Sequence, residues 1–127
     1  MFEEVVGKTV KGQYKRANRE SADITVEVTA KLVLPTSRGN VAYLFGTRVD
    51  TEKAGVIGLF RTDCFRPSSV VVEDSASFKA IEGYAEGEWY ATTGNMSFGY
   101  PERVAQKDLE WALEAGAKPL KDFAVKA

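Results

Sequence analysis

Residues 22–34, ADITVEVTAKLVL, alternate with a period of two. Ile24, Val26, Val28, Ala30, Leu32 and Leu34 share one parity; Thr25, Glu27, Thr29, Lys31 and Val33 share the other. This predicts a long strand with one face in a core and one in water. It also predicts a mainly antiparallel sheet, because parallel strands are usually buried on both faces. Residues 5–15 read as a preceding strand of weaker pattern, with Val6, Val10 and Tyr14 on one side. RANRES, residues 16–21, is the polar link between the two. After the turn cluster PTSRGN at 35–40, residues 41–49 form a third strand. Val41, Tyr43 and Phe45 share one of its faces, Ala42 and Leu44 the other. With both faces apolar, this strand is expected in the centre of the sheet or at an oligomer contact. Residues 56–65 read as a fourth strand after a short polar turn, which completes a meander.

The pattern weakens after Pro67. SVVVE, residues 69–73, fits a short strand or a crossover. Residues 75–82 fit either a two-turn helix ended by Gly83, with Phe78 and Ile81 on its apolar side, or a further strand. EWYATT, residues 88–93, reads as a strand, Gly94 and Asn95 as a turn, and residues 96–100 as the return arm. Residues 101–115 are the strongest helix pattern. Pro101 suits a first helical position, Ala105, Leu109, Ala112 and Leu113 lie on one face, and Gly116 stands just past the end. Pro119 opens a last short helix through Phe123 and Val125. The expected class is therefore α+β: an antiparallel, meander-like sheet of four to six strands, with helices toward the C-terminus packed on one face.

Length and composition narrow this picture. A chain of 127 residues is expected to form a single domain, residues 1–127, with a core that needs no staples. The single cysteine allows no internal disulfide, and the absence of histidine removes Cys/His metal sites. MFEEVVGKTV has neither the basic start nor the long apolar run of a secretory signal, so a cytoplasmic, reducing compartment is expected. No membrane partner is expected. The net charge of −1 argues against polybasic nucleic-acid binding, yet residues 1–70 carry 11 basic and 8 acidic groups, and six of the seven arginines. The sheet half is thus the half suited to an anion.

The chemical candidates are few. Cys64 stands between Arg61 and Arg66, but has no histidine base. Val70 occupies the position where the phosphate loop of a tyrosine phosphatase needs arginine. Its shared parity with Phe60 assigns Cys64 to a buried structural role. Glu82, Glu86 and Glu88, beside Tyr84 and Trp89, could pair as glycosidase carboxylates, but a glycine-rich turn more often leaves them in water. The usual phosphate-binding fingerprints are absent. TTGNMSFGYPERV could offer backbone N–H groups to an anion near the main helix. Arginine offers a planar fork that matches phosphate and stacks on aromatics. A ligand site is accordingly expected from Arg19, Arg61 and Arg66, with Trp89 or Tyr90 as a flat face and Asn95 as an amide donor.

These features favour binding over catalysis, with no catalytic residue, cofactor or metal expected. The expected function is a small non-enzymatic binding protein, self-associating as a homodimer or larger homo-oligomer, that takes an anionic nucleotide-like molecule. Such a format suits a sequestering or inhibitory protein of phage or mobile-element type. Three alternatives stand beside it. One is an inhibitor that contacts a larger enzyme, another a single-strand nucleic-acid binder on an OB-like sheet, and the third a small hydrolase or isomerase using Glu, Asp or Tyr.

Overall fold

The computed structural model describes residues 2–36, 39–52, 55–91, 101–103, 114, 116 and 118–125. Four strands follow one another as a meander: β1 (Lys8–Tyr14), β2 (Ala22–Thr36), β3 (Gly39–Arg48) and β4 (Val56–Arg61). Two 3-10 turns, Thr62–Cys64 and Pro67–Ser69, then carry the chain to β5 (Val71–Asp74), which pairs with the free side of β1. The sheet order is β4-β3-β2-β1-β5, antiparallel throughout. The chain leaving β4 also returns to β1. Lys15 N–H donates to the Cys64 carbonyl at 2.9 Å, and Arg66 N–H to the Gln13 carbonyl at 3.0 Å. The Tyr14 hydroxyl accepts a 3.1 Å hydrogen bond from Arg61 N–H, so β1 and β4 approach each other at one end and the sheet curls.

The long alternation in β2 does not keep one face. Val28 lies opposite Gly46, but Ala30 lies opposite Phe45, so Thr29 is an extra residue, a β-bulge. Because side chains alternate with a period of two, one inserted residue turns the following arm over. Ile24, Val26 and Val28 enter a first core with Val5, Val10, Leu44, Phe60 and Phe65. Ala30, Leu32 and Leu34 enter a second core on the opposite face, with Tyr43, Phe45, Ile81, Ala91 and Leu120. Gly46 makes the bulge possible. A Cβ there would sit inside the contact distance of the Glu27 carbonyl oxygen and 2.9 Å from Val26 Cγ1. Thr29 Oγ1 is buried with no hydrogen-bond partner among the described residues.

The two apolar faces of β3 are thereby accounted for within one chain: Leu44 fills the first core, Tyr43 and Phe45 the second. One argument for self-association, the two-sided pattern of β3, is thereby met within the chain; the other, an apolar face on 101–115, falls mostly outside the described residues.

The α+β expectation is overturned. Among the described residues there is no helix of seven or more residues, and the second core is covered by a small sheet and turns. β6 (Trp89–Ala91) is flanked by β7 (Pro101–Arg103) and β8 (Lys118–Pro119). Pro101, expected to start a helix, begins a strand instead, a position proline also tolerates, and residues 101–103 pair with β6. Tertiary pairing there outweighs a local helical preference. Most of the expected helix (104–113 and 115) lies outside the described residues, as do the 94–95 turn and the return arm at 96–100. The expected last helix is a 3-10 turn, Leu120–Phe123; after it Val125 N–H donates to the Lys31 carbonyl on β2 at 2.8 Å. Residues 75–82 are neither helix nor strand. Ser75 and Ser77 donate their hydroxyls to the buried Glu27 carboxylate, and a turn series follows through Gly87. Among the described residues no helix is long and apolar enough to cross a membrane.

The bulge yields two opposite expectations. Gly46→Ala should lower unfolding free energy by about 1–3 kcal/mol, the usual cost of overpacking. Thr29→Val, which removes an unsatisfied buried hydroxyl, should raise it by about 1 kcal/mol. Urea titrations of both variants check the pair; a neutral Gly46→Ala would show that the close approach is not needed.

Candidate functional site

A groove of 750 Å³ opens where the curl of the sheet stays incomplete, between the β1–β2 loop and β4. Its size is within the range of ligand sites, roughly 300–1,000 Å³. Val56, Ile57, Gly58, Leu59 and Phe60 of β4 form one wall. Tyr14, Ala22 and Ile24 line it from β1 and β2, and Arg16, Arg19, Glu20 and Arg48 supply its charge. The floor belongs to the first core: Ile24 and Phe60 are buried, and the Tyr14 ring meets Phe60 edge-on at 5.9 Å. Gly58 shares a face with Phe60, whose ring lies against it: a Cβ at Gly58 would meet Phe60 Cζ at 3.4 Å.

The loop presents its arginines through a tight turn. Arg19 N–H donates to the Arg16 carbonyl at 3.1 Å, and Lys15 Nζ donates to the Arg19 carbonyl at 3.2 Å. Both arginines are exposed. Neither guanidinium has a hydrogen-bonded or ionic partner among the described residues. Arg48 differs, because it holds Asp50 through two hydrogen bonds of 3.1 and 2.8 Å. That fork holds the Asp50 carboxyl below the usual carboxylate range. With Arg48 matched by Asp50, the excess positive charge is that of Arg16 and Arg19 against Glu20.

The expected site residues do not converge. Arg19 is on the groove. Arg61 points to the other side of β4, opposite Tyr43, and grips Asp63 at 2.9 and 2.7 Å. Arg66 donates to the Gln13 side chain at 3.1 Å. Trp89 lies in the second core, its ring 5.4 Å from that of Phe45 and its Nε1–H donating to the Glu82 carbonyl. Tyr90, next along β6, points to the opposite face of that small sheet. Asn95 lies outside the described residues. Glu82, Glu86 and Glu88 are exposed. Among the described residues no cluster of acidic and cysteine side chains could hold a metal ion.

Arg16, Arg48, Tyr14 and the β4 wall were missed as site residues. The spacing of Arg16 and Arg19 in one short polar loop was a usable signal for the first. Arg48 and β4 join the groove only through strand register. Compared with protein-family models, curated proteins and solved structures, the chain matches none. Any function must therefore be argued from the groove itself.

Cys64 corrects a second expectation. The strand stops at Arg61, so Cys64 sits in a 3-10 turn and the parity argument for full burial fails; the thiol is half-buried. Burial, then the adjacent Asp63 charge, push its pKa up. A raised pKa means the neutral thiol is the favoured form, the reverse of an activated nucleophile. Alkylation by iodoacetamide should therefore show its inflection at higher pH than a cysteine peptide does. An inflection below the peptide's would restore the reactive reading. Burial also raises Tyr14 and Tyr84. Stability from these groups is present below their unfolded pKa and lost as pH rises through the folded value, so unfolding should ease above about pH 10. Tyr14→Phe should remove part of that alkaline loss and cost about 1 kcal/mol at neutral pH, because Arg61 N–H loses its acceptor.

Proposed function

We propose that this chain is a non-enzymatic binding protein whose groove takes an anionic ligand against Arg16 and Arg19. One observation carries the reading: two guanidiniums with no partner among the described residues stand at the rim of a 750 Å³ groove with an apolar floor. A guanidinium presents several donors in a plane and matches a carboxylate or phosphate edge-on. The apolar floor lowers the local dielectric, which strengthens such a bond beyond its value in open water. Catalysis has no comparable support, since the cysteine is pushed away from its reactive form and Arg48 and Arg61 are committed to neighbouring carboxylates.

The anion is better supported than a nucleotide in particular. The aromatics expected to supply a stacking face, Trp89 and Tyr90, lie on the second sheet. The rings near the groove, Tyr14 and Phe60, pack edge-on at an interplanar angle of 82° as part of the first core, rather than as a pair of parallel stacking platforms.

Calorimetry with tripolyphosphate and with mono-, di- and cyclic nucleotides tests the reading. Binding is expected, with affinity falling as salt rises. Arg16→Ala and Arg19→Ala should each weaken it about tenfold or more, the loss of a hydrogen bond to a charged group. Their melting temperatures should stay within about 2 °C of the parent, because surface substitutions of this kind change stability by under about 0.5 kcal/mol. Absence of heat and thermal shift with every anion would remove the proposed site.

A further inference from the structure

We infer that the groove takes an extended acidic peptide, which adds to β4 as a further strand of the sheet; this rests on the anion-binding reading above. β4 is an outermost strand in the order β4-β3-β2-β1-β5. Its outer backbone edge can be placed from one hydrogen bond. Arg61 N–H points away from β3, because it donates to the Tyr14 hydroxyl. Backbone groups alternate sides along an antiparallel strand, and the β3–β4 register is unbroken, so Ile57 and Leu59 turn their N–H and C=O groups to the same outer edge. Among the described residues no strand pairs with that edge.

Open edges are normally blunted by charge, proline, a bulge or short length. The opposite edge follows that rule: β5 has four residues and ends in Glu73 and Asp74. β4 does not. VIGLFR has no proline, no bulge in its pairing and no charge before Arg61, and Val56 and Ile57 are 45% and 38% exposed. Such an edge invites another chain. The shape of the groove agrees, since it follows five consecutive residues of β4, about 17 Å of extended chain. Charge then selects the occupant. A strand laid against β4 would carry alternate side chains over the groove, toward Arg16 and Arg19. Acidic side chains at those alternate positions answer the unpaired guanidiniums; basic ones are repelled.

The test uses the full chain and an eight-residue acetylated, amidated peptide alternating valine and glutamate. Its controls are the lysine-for-glutamate peptide, an analogue N-methylated at alternate residues, and tripolyphosphate. The glutamate peptide should bind and slow hydrogen exchange of the Ile57 and Leu59 amides. N-methylation should weaken it about tenfold, the effect of losing edge hydrogen bonds. Ile57→Pro deletes one outward N–H at an edge position where proline is tolerated. It should weaken peptide but leave tripolyphosphate binding unchanged; if that variant does not fold, the N-methylated peptide decides. Arg16→Glu combined with Arg19→Glu should weaken both ligands. Tripolyphosphate binding, with no difference between the glutamate peptide and its N-methylated form, would overturn strand addition and leave the anion site standing. No binding of either ligand would end both. Protected Ile57 and Leu59 amides in the free protein, with a mass that grows with concentration, would assign the edge to a second copy and overturn the proposal.

Discussion

The bulge at Thr29, and the absence of a side chain at Gly46 that lets it form, is the constraint from which the rest of the architecture follows. The Glu27 carbonyl lies so close to Gly46 that no Cβ fits between them. That approach lets β2 gain one residue on β3 and turn its second arm over. A sheet that would have had one wet face then buries both, at different ends. The first core lies under the curl of β1, β2 and β4; the second lies on the reverse face, under the C-terminal segments. Folding therefore requires apolar material on both sides, which the chain takes from Val5 on one face and from Ile81, Ala91 and Leu120 on the other.

The groove is a consequence of the same geometry. Curling brings Tyr14 to Arg61 at one end of the β1–β4 approach, but β4 never pairs with β1 along its length. The space left between them is walled by a strand edge that no strand among the described residues pairs with, and roofed by the β1–β2 loop, where Arg16 and Arg19 project. The floor belongs to the buried core, while the rim is an exposed loop that carries the charges. A buried apolar floor with exposed charges at its rim suits binding, and lacks the set of converging groups that chemistry at a reacting atom needs.

The four meander strands were legible in the sequence because each is a continuous, locally patterned run. The period-two run at 22–34 and the apolar run at 41–45 identify β2 and β3 from residue type alone. Residues at the ends were less clear: β4 stops at Arg61 because Thr62–Cys64 turn back toward β1, a decision made by pairing with Gln13 and Lys15. The helix expected from Pro101 went wrong at its start for a related reason. Proline fits either a first helical turn or the first residue of a strand, and only the presence of β6 beside it selects the strand. Of the site, the two loop arginines could be read from RANRES, whereas their meeting with β4 could not.

What the residues determined by themselves is the antiparallel meander, the exclusion of disulfide and histidine chemistry, and the concentration of arginine in the sheet half. These depend on side-chain type and on neighbours within a few positions. Tertiary structure decided which face each apolar residue occupies, which arginines are committed and which are free, and where the open edge lies. The alternation from Ile24 to Leu34 shows why. It is unbroken in sequence, yet one extra residue opposite Gly46 divides it between two cores, because parity in a strand has meaning only relative to the partner strand it is paired with.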